Sequence, residues 1–164
     1  MSWLFSPDGF FNPQLSYSVQ AIFRCAYGIL LLGFLCMAIP HWRRFFISER
    51  WGGYAKSSPL TDVLQSPVGS VALGLTWAGC GIALIAGWQL VACSLINLLI
   101  CRYLFIEMRW QSVTRGCGAP GFMSYWLAAA VFLLEFTTQF APDCRSLAVL
   151  VLQVDFAFVI GNPF

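Results

Sequence analysis

The sequence predicts an all-α integral membrane protein, one domain over residues 1–164 built as a bundle of about five transmembrane helices. Three observations predict this class: the composition, the apolar runs long enough to span a membrane, and the basic and aromatic residues between those runs. Hydrophobic residues make up 59% of the chain and charged residues 10%, and the mean hydropathy is +0.75. A soluble domain is about a quarter charged. The composition therefore excludes a soluble globular domain, a disordered chain and a nucleic-acid-binding protein.

Residues 1–18 are predicted to form an aromatic arm that lies in the membrane interface. The segment has no Lys or Arg, so it lacks the basic start of a secretory signal. Its aromatic residues, which favour the headgroup layer, are Trp3, Phe5, Phe10, Phe11 and Tyr17. A disordered N-terminus is the alternative interpretation.

Five apolar segments are predicted to cross the membrane: residues 19–39, 68–86, 88–106, 122–140 and 147–160. The first has 21 residues, which at about 1.5 Å rise per residue cover a hydrocarbon core of about 30 Å. The last has 14 residues, which is short for a span. Four spans with a partial fifth are therefore the alternative.

A tight hairpin is predicted between the second and third spans. Val68 to Ile100 contains 33 residues without a charge. One straight helix of that length would be about 50 Å long, too long for a bilayer without severe tilt. Gly87-Trp88 divides this part of the chain into residues 68–86 and 88–106, nineteen residues each, and these equal halves favour a hairpin over a re-entrant loop.

Small residues recur at four-residue spacing along the second span and are predicted to pack helices closely, as small residues do in lipid. The two rows are Ser70, Gly74 and Ala78, and Gly79, Ala83 and Gly87. The alternative is the general tolerance of membrane helices for glycine.

The basic residues predict the orientation. The loop after span one has four and the region after span three has three, whereas the opposite side has Arg145 and the partly inserted Arg24. Cytoplasmic loops carry the excess of Lys and Arg, so loops 41–67 and 107–121 are predicted to be cytoplasmic and the N-terminus to lie outside. The predicted interfacial anchors are Trp42, Arg43, Arg44 and Trp51.

The charged residues Arg24, Glu135 and Asp155 lie inside predicted spans. Counted from the loop ends, they lie roughly 8, 8 and 12 Å below one face. An isolated charge at such depth costs at least about 2.5–3.5 kcal/mol, and a guanidinium between carboxylates lowers that cost. We therefore predict an intramembrane ionic cluster of Arg24 and Glu135, with Asp155 as second partner. In the alternative, Arg24 extends to the interface and the acids are protonated or face a neighbouring subunit.

The sequence predicts no metal site and identifies no cofactor. A lone histidine, His41, cannot supply two axial haem ligands or a His-rich metal centre. We interpret it as a polar anchor, with contact to a ligand as the alternative. The seven cysteines show no two-residue spacing typical of redox or zinc motifs. Amides within the spans, including Asn97, are expected to cross-link helices.

The chain resembles the horizontally transferred transmembrane (HTTM) family, which is similar to the membrane half of vitamin K-dependent gamma-carboxylases. Three stretches carry the resemblance: Arg24 followed by the glycine-containing leucine run Tyr27–Gly33; the aromatic loop Trp42–Gly53; and the polar connection of Arg109, Trp110, Ser112 and Gly116-Cys117-Gly118. The resemblance implies a helical membrane scaffold.

The catalytic end of that family is missing from this sequence. The resemblance implies a lysine base shortly after the segment Gln153–Phe158, but no lysine follows here and Lys56 lies in another loop. We therefore expect a non-catalytic accessory or assembly subunit, packed against other integral membrane subunits and membrane lipids. Its 27 aromatic residues would also suit contact with quinone or pigment. The alternative is a small membrane enzyme or carrier that acts on a quinone-like or proton substrate.

Overall fold

A computed structural model describes residues 15–47, 59–107 and 120–161, and these ranges are helical apart from short turns and contain no strand. The predicted all-α class is therefore confirmed for them. The helices are α1 (Tyr17–Ala38), α2 (Pro59–Gln65), α3 (Pro67–Ala86), α4 (Leu90–Arg102), α5 (Pro120–Phe140) and α6 (Arg145–Gly161). Residues 1–14 of the predicted arm 1–18 lie outside the described residues.

Capping residues explain where α1 and α3 begin. Ser16 precedes α1, and its hydroxyl accepts a hydrogen bond from the Ser18 N–H at 3.3 Å. Ser66 precedes α3 and accepts from the Gly69 N–H at 3.0 Å, with Pro67 in the first helical position. These are the residue types that satisfy or dispense with the unpaired N–H groups of a first turn.

The chain turns back between α3 and α4 at Gly87, the position where the sequence predicted a hairpin. Gly87 has φ 77° and Gln89 has φ 46°, so both lie in the left-handed region. The N–H groups of Gly87 and Trp88 both donate to the Ala83 carbonyl. Regular α-helix resumes at Leu90 and ends at Arg102, where a π-helical segment, Tyr103–Glu107, follows. The third predicted span is thus only partly regular α-helix.

Helices α1 and α5 run antiparallel. Gln20 contacts Thr138 and, one turn further along α1, Arg24 contacts Glu135. Helices α3 and α4 are also antiparallel, as are α5 and α6, so the bundle alternates in direction. The start of α1, the Gly87 turn and the turn Pro142–Cys144 therefore lie at one end, which we call the hairpin end.

Helices α1 and α3 approach closely where each has a glycine. A Cβ on Gly28 would lie 2.7 Å from Ile85 Cγ1, and one on Gly81 would lie 3.1 Å from Leu31 Cδ2. Tyr27, Leu31 and Leu84 are buried along this contact. The two helices therefore pack at a distance that a larger side chain at either glycine would increase.

Within the described residues, two helical segments are long and apolar enough to cross a membrane: Tyr17–His41 and Pro67–Ala86. A shorter apolar helix covers Leu90–Phe105. Helices α5 and α6 occupy the predicted fourth and fifth spans, and their crossing of a membrane stays a prediction. Large apolar side chains cover the outside of the bundle, among them Ile22, Ile29, Leu30, Met37, Val68, Leu75 and Ile82.

Candidate functional site

The central feature of the hairpin end is a buried ion pair between α1 and α5. Arg24 Nη1 lies 3.4 Å from Glu135 Oε1, and the two side chains are 15% and 5% exposed. The structure thus brings together two of the three members of the predicted ionic cluster. The distance exceeds the usual 2.7–2.9 Å of a charge-assisted hydrogen bond, so this pair is one long contact rather than a bidentate one.

The shorter contact of the arginine is to the backbone. Arg24 Nε donates to the Leu84 carbonyl at 2.8 Å. Carbonyls in the last turn of a helix have no intrahelical partner, and since Gly87 and Trp88 both donate to Ala83, the Leu84 carbonyl is left for the guanidinium. A cation at a helix C-terminus is also favourable to the helix dipole. Arg24 therefore joins α1, α3 and α5, a role that sequence reasoning missed.

A second polar group lies one turn nearer the hairpin end. Gln20 is 4% exposed, and its Nε2 donates to Thr138 Oγ1 at 3.2 Å. Arg145 Nη2 donates to Gln20 Oε1 at 2.9 Å and to the Leu15 carbonyl at 2.8 Å. The Arg145 guanidinium also lies 4.1 Å from the centre of the Tyr17 ring, within the range of a cation–π contact.

Together these side chains form a polar column along the α1–α5 contact, composed of Arg145, Gln20, Thr138, Glu135 and Arg24. It runs from the start of α6, at the hairpin end, into the bundle. Gln20 and Arg24 are four residues apart on one helix face, which places them about one turn from each other. The column contains two guanidinium groups and one carboxylate, so it carries a formal excess of positive charge.

A further hydrogen-bonded group lies deeper in the bundle. Trp77 Nε1 donates to Asn97 Oδ1 at 2.8 Å, and Asn97 Nδ2 donates to Tyr27 Oη at 2.9 Å. Asn97 is fully buried, and Tyr27 and Trp77 are 5% and 2% exposed. The amide thus links α1, α3 and α4, which confirms the expectation that it cross-links helices. Its two partners were missed, although Tyr and Trp carry polar groups that need partners when buried.

The prediction that Asp155 belongs to the ionic cluster is wrong. Asp155 is exposed, and its Oδ2 accepts from Trp126 Nε1 at 2.7 Å. Trp126 lies nine residues before Glu135 on α5, which is about 13 Å along the helix axis. Helix α6 begins at Arg145, two residues earlier than predicted, so Asp155 lies deeper than expected and faces away from Arg24.

The six small residues that the sequence predicts to pack helices, in two rows along α3, have different surroundings in the structure. Ser70 and Gly74 are buried, and the Trp42 ring lies over Gly74. Trp42 Nε1 donates to Ser70 Oγ at 3.1 Å, and Ala78 is packed against the core. This row therefore meets the chain that follows α1.

The second row does not form one packing face. Ala83 is buried, Gly87 forms the turn, and no atom lies within 4 Å of a Cβ built on Gly79. The residues that bring α1 and α3 close together are instead Gly28 and Gly81. Sequence spacing missed them because Gly81 belongs to neither row.

Trp42, Arg43 and His41 lie at the end of the bundle opposite the hairpin end. Trp42 is half-buried and stacks on Phe46 with ring centres 4.1 Å apart, so it is a packing residue as well as a polar contact. Arg43 and His41 are exposed. Trp51 and the side chain of Arg44 lie outside the described residues.

No family model, curated protein or solved structure matches this chain. Over the described residues, no group of three or more His, Cys, Asp or Glu side chains is placed to hold a metal ion. The resemblance to the HTTM family thus stays a prediction from sequence.

Proposed function

We propose that the chain is a multi-pass integral membrane protein in which α1, α3, α4, α5 and α6 are the spanning helices. The observation that carries this proposal is the distribution of polarity: an ion pair is buried inside the bundle while large apolar side chains cover its outside. A soluble monomer rarely exposes apolar patches larger than a few hundred Å². In a bilayer the same distribution is favourable, because the lipid contacts the apolar exterior and the charged groups contact each other.

The arrangement of basic residues supports the proposed orientation. Arg43 and Arg102 are exposed at the ends of α1 and α4, which lie away from the hairpin end. With loops 41–67 and 107–121 cytoplasmic, the hairpin end and the N-terminus face outside.

This orientation is tested by labelling with a membrane-impermeant maleimide in intact and permeabilised cells. The chain is given one reactive cysteine, either the native Cys144 at the hairpin end or Asp62→Cys at the opposite end, with the other cysteines replaced by alanine. We expect Cys144 to react in intact cells and Asp62→Cys only after permeabilisation. The reverse pattern would overturn the orientation, and reaction of both in intact cells would overturn the membrane bundle.

We further propose that the protein is a non-catalytic accessory or assembly subunit of a larger membrane complex. Two polar side chains of the interior make contacts across helices: Arg24 with Glu135 and the Leu84 carbonyl, and Asn97 with Trp77 and Tyr27. Such contacts hold a scaffold in one arrangement. The apolar exterior of α1 and α3 offers a large surface for other membrane helices.

Gentle solubilisation of native membranes tests this function. We expect the tagged chain to migrate on a native gel with a larger complex and to recover the same partner subunits in fixed stoichiometry. Migration at the size of the isolated chain in a mild detergent, with no partner retained, would contradict the proposal.

A carrier is the second candidate, and the polar column favours it. Hydrogen bonds join Arg145, Gln20 and Thr138 near the hairpin end, and Glu135 lies three residues before Thr138, on the same face of α5. Its test is proton flux or quinone-dependent turnover in proteoliposomes. Activity in the isolated chain that is lost in Glu135→Gln and kept in Asp143→Asn, a matched change at an exposed turn, would favour the carrier over the accessory subunit.

A further inference from the structure

Residues 151–157 of α6 present a carboxylate on a helix surface that the rest of the described chain covers only in part. From Val151 to Ala157 every residue except Leu152 is exposed. Contact with the bundle here comes from Trp126 of α5, whose ring centre lies 5.7 Å from that of Phe156. Apolar side chains therefore surround Asp155 on a face open to whatever lies beside the bundle.

Within the described part of the chain, the carboxylate of Asp155 uses only part of its capacity to accept hydrogen bonds. The Trp126 indole donates one hydrogen bond at 2.7 Å, whereas a carboxylate offers about four acceptor positions. Arg24 is bonded to Leu84 and Glu135, and Arg145 to Leu15 and Gln20. Neither arginine forms an ion pair with Asp155 in the described part of the chain.

The position of Asp155 along α6 makes this exposure costly in the proposed bilayer. Asp155 lies ten residues after the first residue of α6 and six before the last, which is about 15 and 9 Å along the axis. It therefore lies at hydrocarbon depth if α6 crosses the membrane. Carboxylates at that depth almost always face a bundle interior or pair with another group.

We propose that the α6 face formed by Val151, Val154, Asp155 and Phe156 docks a transmembrane helix of another subunit that carries one Lys or Arg near mid-depth. This proposal rests on the proposed accessory function and names its contact surface. Charge complementarity selects the occupant, because a lipid chain leaves the carboxylate without a counter-ion and a cationic helix supplies one. The Trp126 indole holds the carboxylate in place, and the surrounding apolar side chains pack against the incoming helix.

The test uses the full chain in phosphatidylcholine vesicles with synthetic 23-residue leucine–alanine helices as probes. One probe carries a central lysine and the other a leucine at the same position, and energy transfer between dyes on chain and probe reports binding. We expect the lysine probe to bind at least about tenfold more tightly than the leucine probe. Asp155→Asn should abolish this difference, since asparagine keeps an oxygen for Trp126 but removes the charge.

Two controls accompany the measurement. Asp143→Asn, the same chemical change at an exposed turn, should keep the preference for the lysine probe. Circular dichroism and tryptophan fluorescence should show that Asp155→Asn folds as the parent chain does.

Three results would overturn the proposal: equal binding of both probes, a lysine preference that survives in Asp155→Asn, or Asp155-dependent energy transfer between two copies of this chain without probe. The last result would make a second copy the occupant.

The proposed function and this surface can fail separately. If the native complex survives in Asp155→Asn, the accessory function stands and this surface is not the contact. If the parent chain migrates alone from native membranes but binds the lysine probe in vesicles, the surface stands and the accessory function fails.

Discussion

Replacement of Arg24 by leucine should destabilise the bundle strongly, because the change removes two contacts and leaves a buried carboxylate unpaired. The Arg24 Nε–Leu84 O bond is 2.8 Å long, and hydrogen bonds to charged groups contribute about 1.5–3 kcal/mol. Glu135, at 5% exposure, would keep its desolvation penalty without its partner, and removing one member of a buried pair costs about 3–5 kcal/mol. These figures overlap, so we expect a total loss of about 3–5 kcal/mol.

The double variant separates the ion pair from the backbone contact. Glu135→Gln removes the buried charge that Arg24→Leu leaves unpaired. The double variant Arg24→Leu/Glu135→Gln should therefore be more stable than Arg24→Leu by about 0.5–3 kcal/mol, the range of interaction energies between residues in contact. The loss of stability that remains in the double variant is due to the Leu84 carbonyl, which no longer has a donor. Arg24→Lys is the matched control for charge, because it keeps the cation but lacks the Nε donor.

The assay is reversible unfolding of the purified chain in mixed micelles, with increasing SDS, followed by circular dichroism and tryptophan fluorescence. Free energies of unfolding for the parent, the two single variants and the double variant complete a thermodynamic cycle. If the two single losses add to the double loss within about 0.3–0.5 kcal/mol, the contact between Arg24 and Glu135 contributes nothing and the reasoning is wrong.

Two further predictions concern packing and the buried amide, and the same unfolding measurement checks both. Gly28→Ala should destabilise by about 1–3 kcal/mol, because its Cβ would lie 2.7 Å from Ile85 Cγ1. Gly79→Ala, which meets open space, should instead be neutral or stabilise by up to about 1 kcal/mol; equal effects of the two changes would contradict the close approach of α1 and α3. Asn97→Leu should cost about 1–3 kcal/mol, because the buried Trp77 indole would lose its acceptor, and an unchanged stability would show that the amide is not a cross-link.

The position of the polar groups along each helix followed from the sequence. The count of residues from the loop ends put Arg24 and Glu135 at the same depth, and the structure has them in contact. The turn at Gly87 likewise lies between the two predicted spans of equal length, residues 68–86 and 88–106. Both inferences need only the fixed rise of a helix per residue and the thickness of a bilayer. Counting residues along the sequence is then enough to estimate a depth or a span length.

The direction in which each side chain faces was decided by the tertiary structure. Successive residues of a helix are rotated by about 100°, so a shift of one residue in a predicted start or a small rotation of the helix moves a side chain from the core to the surface. Asp155 therefore faces outward beside Trp126, although its depth suggested the cluster. For the same reason spacing could not show that Gly81 meets α1, or that Arg24 would find the Leu84 carbonyl freed by the turn at Gly87.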